Sequence, residues 1–226
     1  MQDEAHLDKQ RIRQAFDRAA PDYVESAVLQ REVAERLVER LDVVRLQPHS
    51  ILDVGAGPGT VGQLLQQRFP KVPLIELDLA PAMLREIRRQ TPWYKRFRSQ
   101  RYAVCGDMES LPLRDNSVDM VFSNLTLQWC NNLEQTLAGC MRVLKPGGLL
   151  MFTTFGPDTL HELRASWAQA DQGAHVSRFL DMHDIGDMLL RIGLAEPVMD
   201  AEHFTLTYPD VTALVRDLRA IGATNA

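Results

Sequence analysis

The sequence Ile51-Leu52-Asp53-Val54-Gly55-Ala56-Gly57-Pro58-Gly59-Thr60 decides the fold of this chain. A short, mainly apolar run leads directly into a glycine-rich loop, and residues 60–69 follow with a helix-like pattern. Glycines allow the backbone to turn tightly and to approach a ligand closely, and a helix N-terminus offers unpaired N–H groups. The stretch therefore predicts a strand, a ligand-binding loop and a helix in succession.

The alternation of strand and helix continues along the chain. Short apolar runs occupy residues 51–54, 72–77, 102–105, 118–122 and 149–155, with helix-like segments between them. This spacing is typical of parallel βαβ units, and near-continuous apolar runs suit strands that are covered on both faces. We predict an α/β fold with a doubly wound, mostly parallel sheet.

Helical segments flank this sheet at both ends of the chain. Residues 7–46 show the apolar periodicity of helices, and residues 1–47 are predicted to form a helical lid. Residues 156–200 are predicted to form a helical cap that holds substrate, followed by a candidate strand at 204–208 and a helix at 210–221. We predict that the whole chain is a single domain.

Composition and charge exclude several classes of protein. The formal net charge is −5 and the pI is about 5.7, whereas phosphate binding requires a basic surface, so no nucleic-acid partner is expected. No apolar run approaches the roughly 20 residues needed to span a bilayer, and no signal peptide is evident. Cys105, Cys130 and Cys140 have no metal-site spacing. We expect free thiols, no metal, no membrane contact and a cytoplasmic location.

The glycine loop by itself leaves the identity of its ligand open. Residues 57–62 satisfy the G-x-G-x-x-G fingerprint of dinucleotide-binding proteins, so an adenosine-containing ligand is expected. Asp53 favours S-adenosylmethionine, because a carboxylate here repels a pyrophosphate but attracts the cationic amino-acid end of that cofactor. No Tyr-x-x-x-Lys pair is present to serve a dehydrogenase. The expected cofactor contacts in this stretch are Asp53, Gly55, Ala56, Gly57 and Gly59.

Two further acids follow later strands. Asp78 ends the second apolar run, 19 residues after Gly59. An acid at that spacing accepts hydrogen bonds from ribose hydroxyls. Asp107 and Met108 follow the third run, where a carboxylate can accept from an adenine amino group while the methionine packs on the ring. We therefore expect Asp78, Asp107 and Met108 to bind the nucleoside part of the cofactor.

Four successive motifs carry a resemblance to a known superfamily. In chain order they are Ile51-Leu52-Asp53-Val54-Gly55-Ala56-Gly57, Leu77-Asp78-Leu79-Ala80-Pro81-Ala82-Met83-Leu84, Gly106-Asp107-Met108-Glu109-Ser110-Leu111-Pro112 and Arg142-Val143-Leu144-Lys145-Pro146-Gly147-Gly148. They resemble the motifs of class I S-adenosylmethionine-dependent methyltransferases, which have a Rossmann-like fold. The resemblance adds Leu79 and Met83 to the expected cofactor contacts.

Further segments are similar to one family within that superfamily. They are Phe16-Asp17-Arg18-Ala19-Ala20 with Tyr23, Ala27-Val28-Leu29-Gln30, Ser123-Asn124-Leu125-Thr126-Leu127-Gln128-Trp129-Cys130, Phe152-Thr153-Thr154-Phe155-Gly156, His175-Val176-Ser177-Arg178-Phe179-Leu180 and Ile221-Gly222-Ala223-Thr224. Together they resemble the malonyl-[acyl-carrier protein] O-methyltransferases of biotin synthesis. The resemblance implies methylation of the free carboxylate of a malonyl thioester, carried on the carrier protein or on coenzyme A. We expect the enzyme to be a monomer.

The implied reaction sets what the substrate site must contain. A carboxylate nucleophile has a pKa of about 4 and is already ionised, so positioning and exclusion of water matter more than a general base. An arginine is expected to hold the malonyl carboxylate, and the candidates are Arg178 in the cap and Arg18 in the lid. Tyr23 and Trp129 are expected to wall the site. Asn124, after the fourth strand, is expected to orient substrate or cofactor.

Three points stay open at this level. The acceptor is alternatively another small acid or a quinone precursor, or the chain is a non-catalytic cofactor-binding assembly factor. Family members continue past Gly222-Ala223-Thr224 with a helix and an antiparallel strand, so we expect this chain, ending at Ala226, to lack that strand.

A basic run either forms a solvated helix face or steers an acidic carrier protein. It comprises Arg85, Arg88, Arg89, Lys95, Arg96, Arg98 and Arg101.

Overall fold

The computed structural model describes residues 6–91, 99–171, 176–177 and 179–223. Within these ranges the sheet has five strands, which are β1 (Ile51–Val54), β2 (Leu74–Asp78), β3 (Arg101–Cys105), β4 (Val118–Asn124) and β5 (Leu144–Thr153). Their order is β3-β2-β1-β4-β5, and every neighbouring pair is parallel. The predicted doubly wound parallel sheet is confirmed.

Helices connect and cover the strands. In chain order they are α1 (Lys9–Ala19), α2 (Tyr23–Ser26), α3 (Val28–Glu39), α4 (Thr60–Arg68), α5 (Pro81–Gln90), α6 (Leu133–Val143), α7 (His161–Ala170), α8 (Met182–Arg191) and α9 (Val211–Ala220). The side chains of Asp8, Asn132, Asp181 and Asp210 accept hydrogen bonds from the first turns of α1, α6, α8 and α9. Such caps satisfy N–H groups that have no partner inside the helix, so they set where these helices begin.

The two faces of the sheet bury separate apolar clusters. On one face Leu37 of α3 and Leu65 of α4 join Phe122 of β4. On the other face Leu137 of α6 and Ile185 of α8 join strand residues from β1, β2 and β4. α5 packs against β2 and β3 and also contacts α1. Coverage on both faces explains why the strands read as nearly continuous apolar runs.

The predicted helical region at 7–46 is divided into α1, α2, α3 and a short 3₁₀ turn. Pro21 follows α1 and lacks the N–H that a continuing helix requires. Ala27, between α2 and α3, has φ −82° and ψ 53°, which is outside the helical region. The side chain of Asp17 accepts a hydrogen bond of 2.8 Å from the backbone N–H of Ala82, which ties α1 to the start of α5.

The candidate strand at 204–208 is wrong, because these residues pair with no strand in the part of the chain that the structure describes. Side chains hold the segment instead. The Arg36 guanidinium of α3 lies 4.7 Å from the centre of the Phe204 ring. The Tyr208 hydroxyl donates to the Asp217 carboxylate of α9 over 2.6 Å. The aromatic residues that suggested a strand therefore serve contacts with helices.

A buried ion pair lies beneath the glycine loop. Arg101 Nε donates to Glu76 Oε2 over 2.8 Å, and Arg101 Nη2 donates both to Glu76 Oε1 over 2.5 Å and to the Gly59 carbonyl over 3.0 Å. A Cβ atom at Gly59 would overlap Arg101 Nη2, and one at Gly62 would overlap Glu76 Oε1. Two glycines of the G-x-G-x-x-G pattern therefore make room for this ion pair.

We predict that Arg101→Gln lowers the free energy of unfolding by about 3 kcal/mol, because it leaves the Glu76 carboxylate buried without a cation. The loss should be larger at pH 8 than at pH 5, since protonation of Glu76 relieves the unpaired charge. Urea denaturation at both pH values measures it.

Two further variants make this prediction specific. The double variant Arg101→Gln/Glu76→Gln should lose less than Arg101→Gln alone, because no buried charge is left over. Arg89→Gln removes an exposed ion pair with Glu86 and should change stability by less than about 1 kcal/mol. A loss below about 1 kcal/mol for Arg101→Gln, or an equal loss in the double variant, would contradict the assignment.

Candidate active site

A cavity of about 220 Å³ opens where β1, β2, β3 and β4 end. It lies at the crevice where the strand order reverses between β1 and β4, the usual position for ligands in open α/β sheets. α1, α2 and α3 supply the opposite wall. All predicted cofactor residues except Asp53 and Gly59 line the cavity, namely Gly55, Ala56, Gly57, Asp78, Leu79, Met83, Asp107, Met108 and Asn124.

The Asp78 carboxylate ties the end of β2 to the glycine loop. Its Oδ2 accepts from the Gly57 N–H over 2.8 Å, and its Oδ1 accepts from the Ala80 N–H over 2.7 Å. Burial raises the pKa of Asp78 to about 6, even though these backbone hydrogen bonds act to lower it. Each carboxylate oxygen has two lone pairs, so Asp78 keeps capacity to accept from ligand hydroxyls.

Asp53 lies on β1 beneath the glycine loop and is fully buried. Both of its carboxylate oxygens are without a hydrogen-bond partner in the described residues. Burial, together with the neighbouring Glu76 carboxylate on β2, raises the pKa of Asp53 well above its ordinary range, although Arg101 opposes the shift. Asp53 does not line the cavity. Its contact with the cationic end of a cofactor stays a prediction.

Asp107 caps the turn that follows β3 and faces the cavity. Its Oδ1 accepts from the Glu109 N–H over 3.0 Å and from Lys9 Nζ over 3.3 Å. Lys9 also binds the Glu109 carboxylate and the Trp129 carbonyl. Asp107 Oδ2 makes no hydrogen bond within the ranges that the structure describes, so it is available to a ligand amino group.

The loop glycines differ in what surrounds them. Gly55 has φ +73°, and a Cβ there would overlap the Thr126 side chain that follows β4. Gly57 has φ +54°, but a Cβ there would meet no atom within 4 Å. The backbone of Gly57 therefore faces the open cavity. Gly55 must lack a side chain because Thr126 packs against it.

Aromatic side chains wall the cavity on the lid side. Phe16 of α1 packs edge-on against Trp129, with ring centres 5.3 Å apart, and its ring centre lies 6.4 Å from that of Tyr23. Burial and the nearby Asp78 carboxylate raise the pKa of Tyr23, which keeps its hydroxyl protonated. Tyr23 and Trp129 thus occupy the wall positions expected from the sequence, and their roles in the reaction stay predictions.

Asn124 lies at the end of β4 and its amide group is engaged by the protein. Asn124 Nδ2 donates to the Gln30 carbonyl of α3 over 2.9 Å, and Thr153 Oγ1 of β5 donates to Asn124 Oδ1 over 2.8 Å. The next residue, Leu125, is in the left-handed region with φ +47°. Asn124 therefore fixes α3 against the carboxyl ends of β4 and β5.

Neither arginine proposed for the substrate carboxylate lies on the described cavity wall. Arg18 is exposed on α1 and is not among the lining residues. Arg178 lies outside the described residues, as does His175. No described residue of the predicted cap, 156–200, lines the cavity. The substrate roles of Arg18, Arg178 and the cap stay predictions.

The structure adds cavity residues that the sequence analysis missed. Lys9, Gln30 and Arg31 line the cavity from α1 and α3. The segment Ala27-Val28-Leu29-Gln30, which carries part of the family resemblance, ends one residue before Arg31. The resemblance therefore includes the start of α3 but not its cavity-lining cation. Lys9 carries no sequence signal, because its place depends on how α1 packs across the turns after β3 and β4.

The described members of the basic run differ in their exposure to solvent. Arg85, Arg88 and Arg89 are exposed on α5, whereas Arg101 is buried against Glu76 and belongs to no surface patch. Lys95, Arg96 and Arg98 lie outside the described residues.

In the described ranges no helix is long and apolar enough to cross a membrane, and no cluster of side chains is suited to hold a metal ion.

Comparison with known proteins assigns the family. A methyltransferase-domain model matches residues 52–152. The chain is 51% identical to a malonyl-[acyl-carrier protein] O-methyltransferase of Gallionella capsiferriformans, over 97% of this chain and 76% of the relative. It is also 51% identical to the enzyme of the same name from a Methylovorus species, over 97% of this chain and 75% of the relative. The chain belongs to the malonyl-[acyl-carrier protein] O-methyltransferase family.

Solved structures agree with this assignment at the level of fold. A chain in the complex of the Haloferax volcanii Trm112 methyltransferase activator with a methyltransferase superposes with a TM-score of 0.64, covering 93% of both chains at 21% identity. The fold of class I methyltransferases is thus confirmed, and the family match and the named relatives confirm the enzyme class. Methyl transfer is the activity of this family, and the cavity at the carboxyl edge of the sheet is the candidate site for it.

We predict that the affinity for S-adenosylhomocysteine falls as the pH drops below about 6, by up to tenfold per pH unit. Asp78 has a pKa of about 6 without ligand, and accepting ribose hydroxyls favours its ionised form, so below that pH binding must release a proton. Calorimetry from pH 5 to 8 measures the affinity. Asp78→Asn should bind weakly with a flatter pH profile; an unchanged profile would remove Asp78 from the ligand site.

Proposed function

We propose that this chain transfers a methyl group from S-adenosylmethionine to the free carboxylate of a malonyl thioester on an acyl-carrier protein, as an early step of biotin synthesis. The observation that carries this proposal is the 51% identity, over nearly the whole chain, to enzymes named malonyl-[acyl-carrier protein] O-methyltransferase. The cavity at the carboxyl edge of the sheet supplies a site with suitable chemistry.

The residues present suit S-adenosylmethionine. Asp78 retains lone pairs for ribose hydroxyls, and Asp107 Oδ2 is available to the adenine amino group. Gly57 leaves open space where its Cβ would lie, so a ligand can approach the backbone closely. The buried Asp53 carboxyl has no hydrogen-bond partner in the described residues, and a cationic ligand above the loop would favour its ionised form.

The proposed reaction does not depend on proton transfer by the protein. When bound, S-adenosylmethionine would supply an electrophilic methyl group. A malonyl carboxylate has a pKa of about 4 and is ionised at neutral pH, so no general base is needed. Tyr23 cannot act as a base, because its raised pKa keeps the hydroxyl protonated. The protein instead positions the reactants and excludes water.

The aromatic wall serves both of these tasks. Phe16 of α1, Tyr23 of α2 and Trp129 form an apolar wall of the cavity. Water is a competing hydrogen-bond partner for a carboxylate, so its exclusion keeps the nucleophile reactive. Aromatic faces also attract cations, which suits a positively charged methyl donor.

The proposed partner is an acidic carrier protein, and α1 and α5 offer a basic surface for it. These two helices contact each other, and the contact includes the hydrogen bond from the Ala82 N–H to Asp17. Acids on the same helices offset part of the positive charge. Long-range attraction of this kind raises the rate of encounter more than the affinity. The exposed cations are Arg11, Arg13 and Arg18 on α1 and Arg85, Arg88 and Arg89 on α5.

The decisive experiment mixes the protein with methyl-labelled S-adenosylmethionine and malonyl-carrier protein. We predict label on the malonyl group, released as methanol by mild alkaline hydrolysis, and no label on acetyl-carrier protein, which has no free carboxylate. Malonyl-coenzyme A tests whether the carrier protein is required. Cofactor binding with no transfer to either malonyl thioester would contradict the proposal and favour another acceptor or a non-catalytic role.

A further inference from the structure

Arg31 is a cation on the cavity wall that the proposed mechanism does not yet use. It lies on α3 and lines the cavity together with Ala27 and Gln30. Its side chain makes no ion pair and no hydrogen bond within the described residues. Glu35, one helical turn further along α3, is exposed and does not pair with it.

The surroundings of Arg31 differ from those of the other cation on the described wall. Lys9 is neutralised by contacts with Asp107 and Glu109. Arg31 has no such carboxylate, since the acids that line the described cavity, Asp78 and Asp107, follow β2 and β3. α3 packs instead against α4, β4 and β5. Among the described residues, the β4 end of the cavity therefore presents the positive charge of the exposed Arg31 without a paired carboxylate.

The backbone next to Arg31 is fixed in place. The Gln30 carbonyl accepts the 2.9 Å hydrogen bond from Asn124 Nδ2, and Asn124 is held in turn by Thr153. Ala34, one turn further along α3, is completely buried. A guanidinium on an anchored helix loses less freedom on binding an anion than one on a free loop.

We propose that Arg31 binds a carboxylate at the β4 end of this cavity. A guanidinium forms two parallel hydrogen bonds with a carboxylate, and few groups match that geometry. This inference rests on the proposed function, which brings two carboxylates to the cavity, namely the α-carboxylate of S-adenosylmethionine and the free carboxylate of the malonyl group. Arg18 and Arg178 stay predictions for such a contact, and Arg31 adds a candidate that lines the described wall.

The test compares two ligands that differ by one carboxylate. Calorimetry measures the affinity of wild type, Arg31→Gln and Arg31→Lys for S-adenosylmethionine and for decarboxylated S-adenosylmethionine. If Arg31 binds the cofactor, Arg31→Gln should weaken S-adenosylmethionine about tenfold or more and leave the decarboxylated form within about twofold. Arg31→Lys should recover part of the loss, because it restores the charge without the paired geometry.

A second measurement identifies the malonyl carboxylate as the source. In that case both cofactor affinities stay unchanged in Arg31→Gln, while the KM for malonyl-carrier protein rises about tenfold or more. The control is Arg45→Gln, an exposed arginine outside the cavity lining that has no ion pair in the described residues; it should leave all three quantities unchanged.

Two results would overturn the proposal. One is an Arg31→Gln protein with unchanged affinity for both cofactor forms and an unchanged KM. The other is an equal loss for both cofactor forms, which indicates a structural role for Arg31. If wild type binds S-adenosylmethionine but does not methylate malonyl-carrier protein, the proposed function fails separately. Unchanged S-adenosylmethionine affinity in Arg31→Gln then suffices to refute the role of Arg31.

Discussion

The pairing of Arg101 with Glu76 is the constraint on which the glycine loop depends. One guanidinium offsets carboxylates on two adjacent strands, Glu76 directly and Asp53 through its charge, and it also holds the carbonyl of Gly59. Burying a carboxylate without a partner is costly, so the ion pair makes this acidic interior possible. Because the loop is fastened to it at Gly59, the start of α4 and the cavity edge are positioned by residues that do not themselves line the cavity.

Much of this architecture is encoded locally and was therefore predictable. Apolar runs between glycine-rich turns identify buried parallel strands, because both faces of such strands are covered. Asp78 and Asp107 could be assigned to the cavity because one ends a strand and the other lies two residues after one, and the carboxyl ends of parallel strands lie along one edge. The strand ends shifted by a few residues, as in β5, where a bulge opposite Val118 and Met120 extends the strand back to Leu144.

The remainder depends on contacts between distant parts of the chain. Arg31 reaches the cavity only because α3 is anchored by Asn124, which is 94 residues from Gln30 along the chain. The apolar residues near 204 have the composition of a strand, but packing of Phe204 against Arg36 decides otherwise. Arg101 reads as one member of a basic surface run until the neighbouring strand supplies Glu76. Local pattern cannot distinguish a solvated cation from a buried one.

The glycines of the loop and of the first turn of α4 divide into two groups by what surrounds them. Gly55, Gly59 and Gly62 are constrained by the protein itself, through Thr126, Arg101 and Glu76. Gly57 faces empty space, where its missing side chain leaves room for a ligand, although its φ of +54° also favours glycine. A relative that has lost its ligand would therefore keep a structural reason to retain all four glycines. Counting glycines in such a chain would overstate its competence, because none of the four positions reports on the ligand alone.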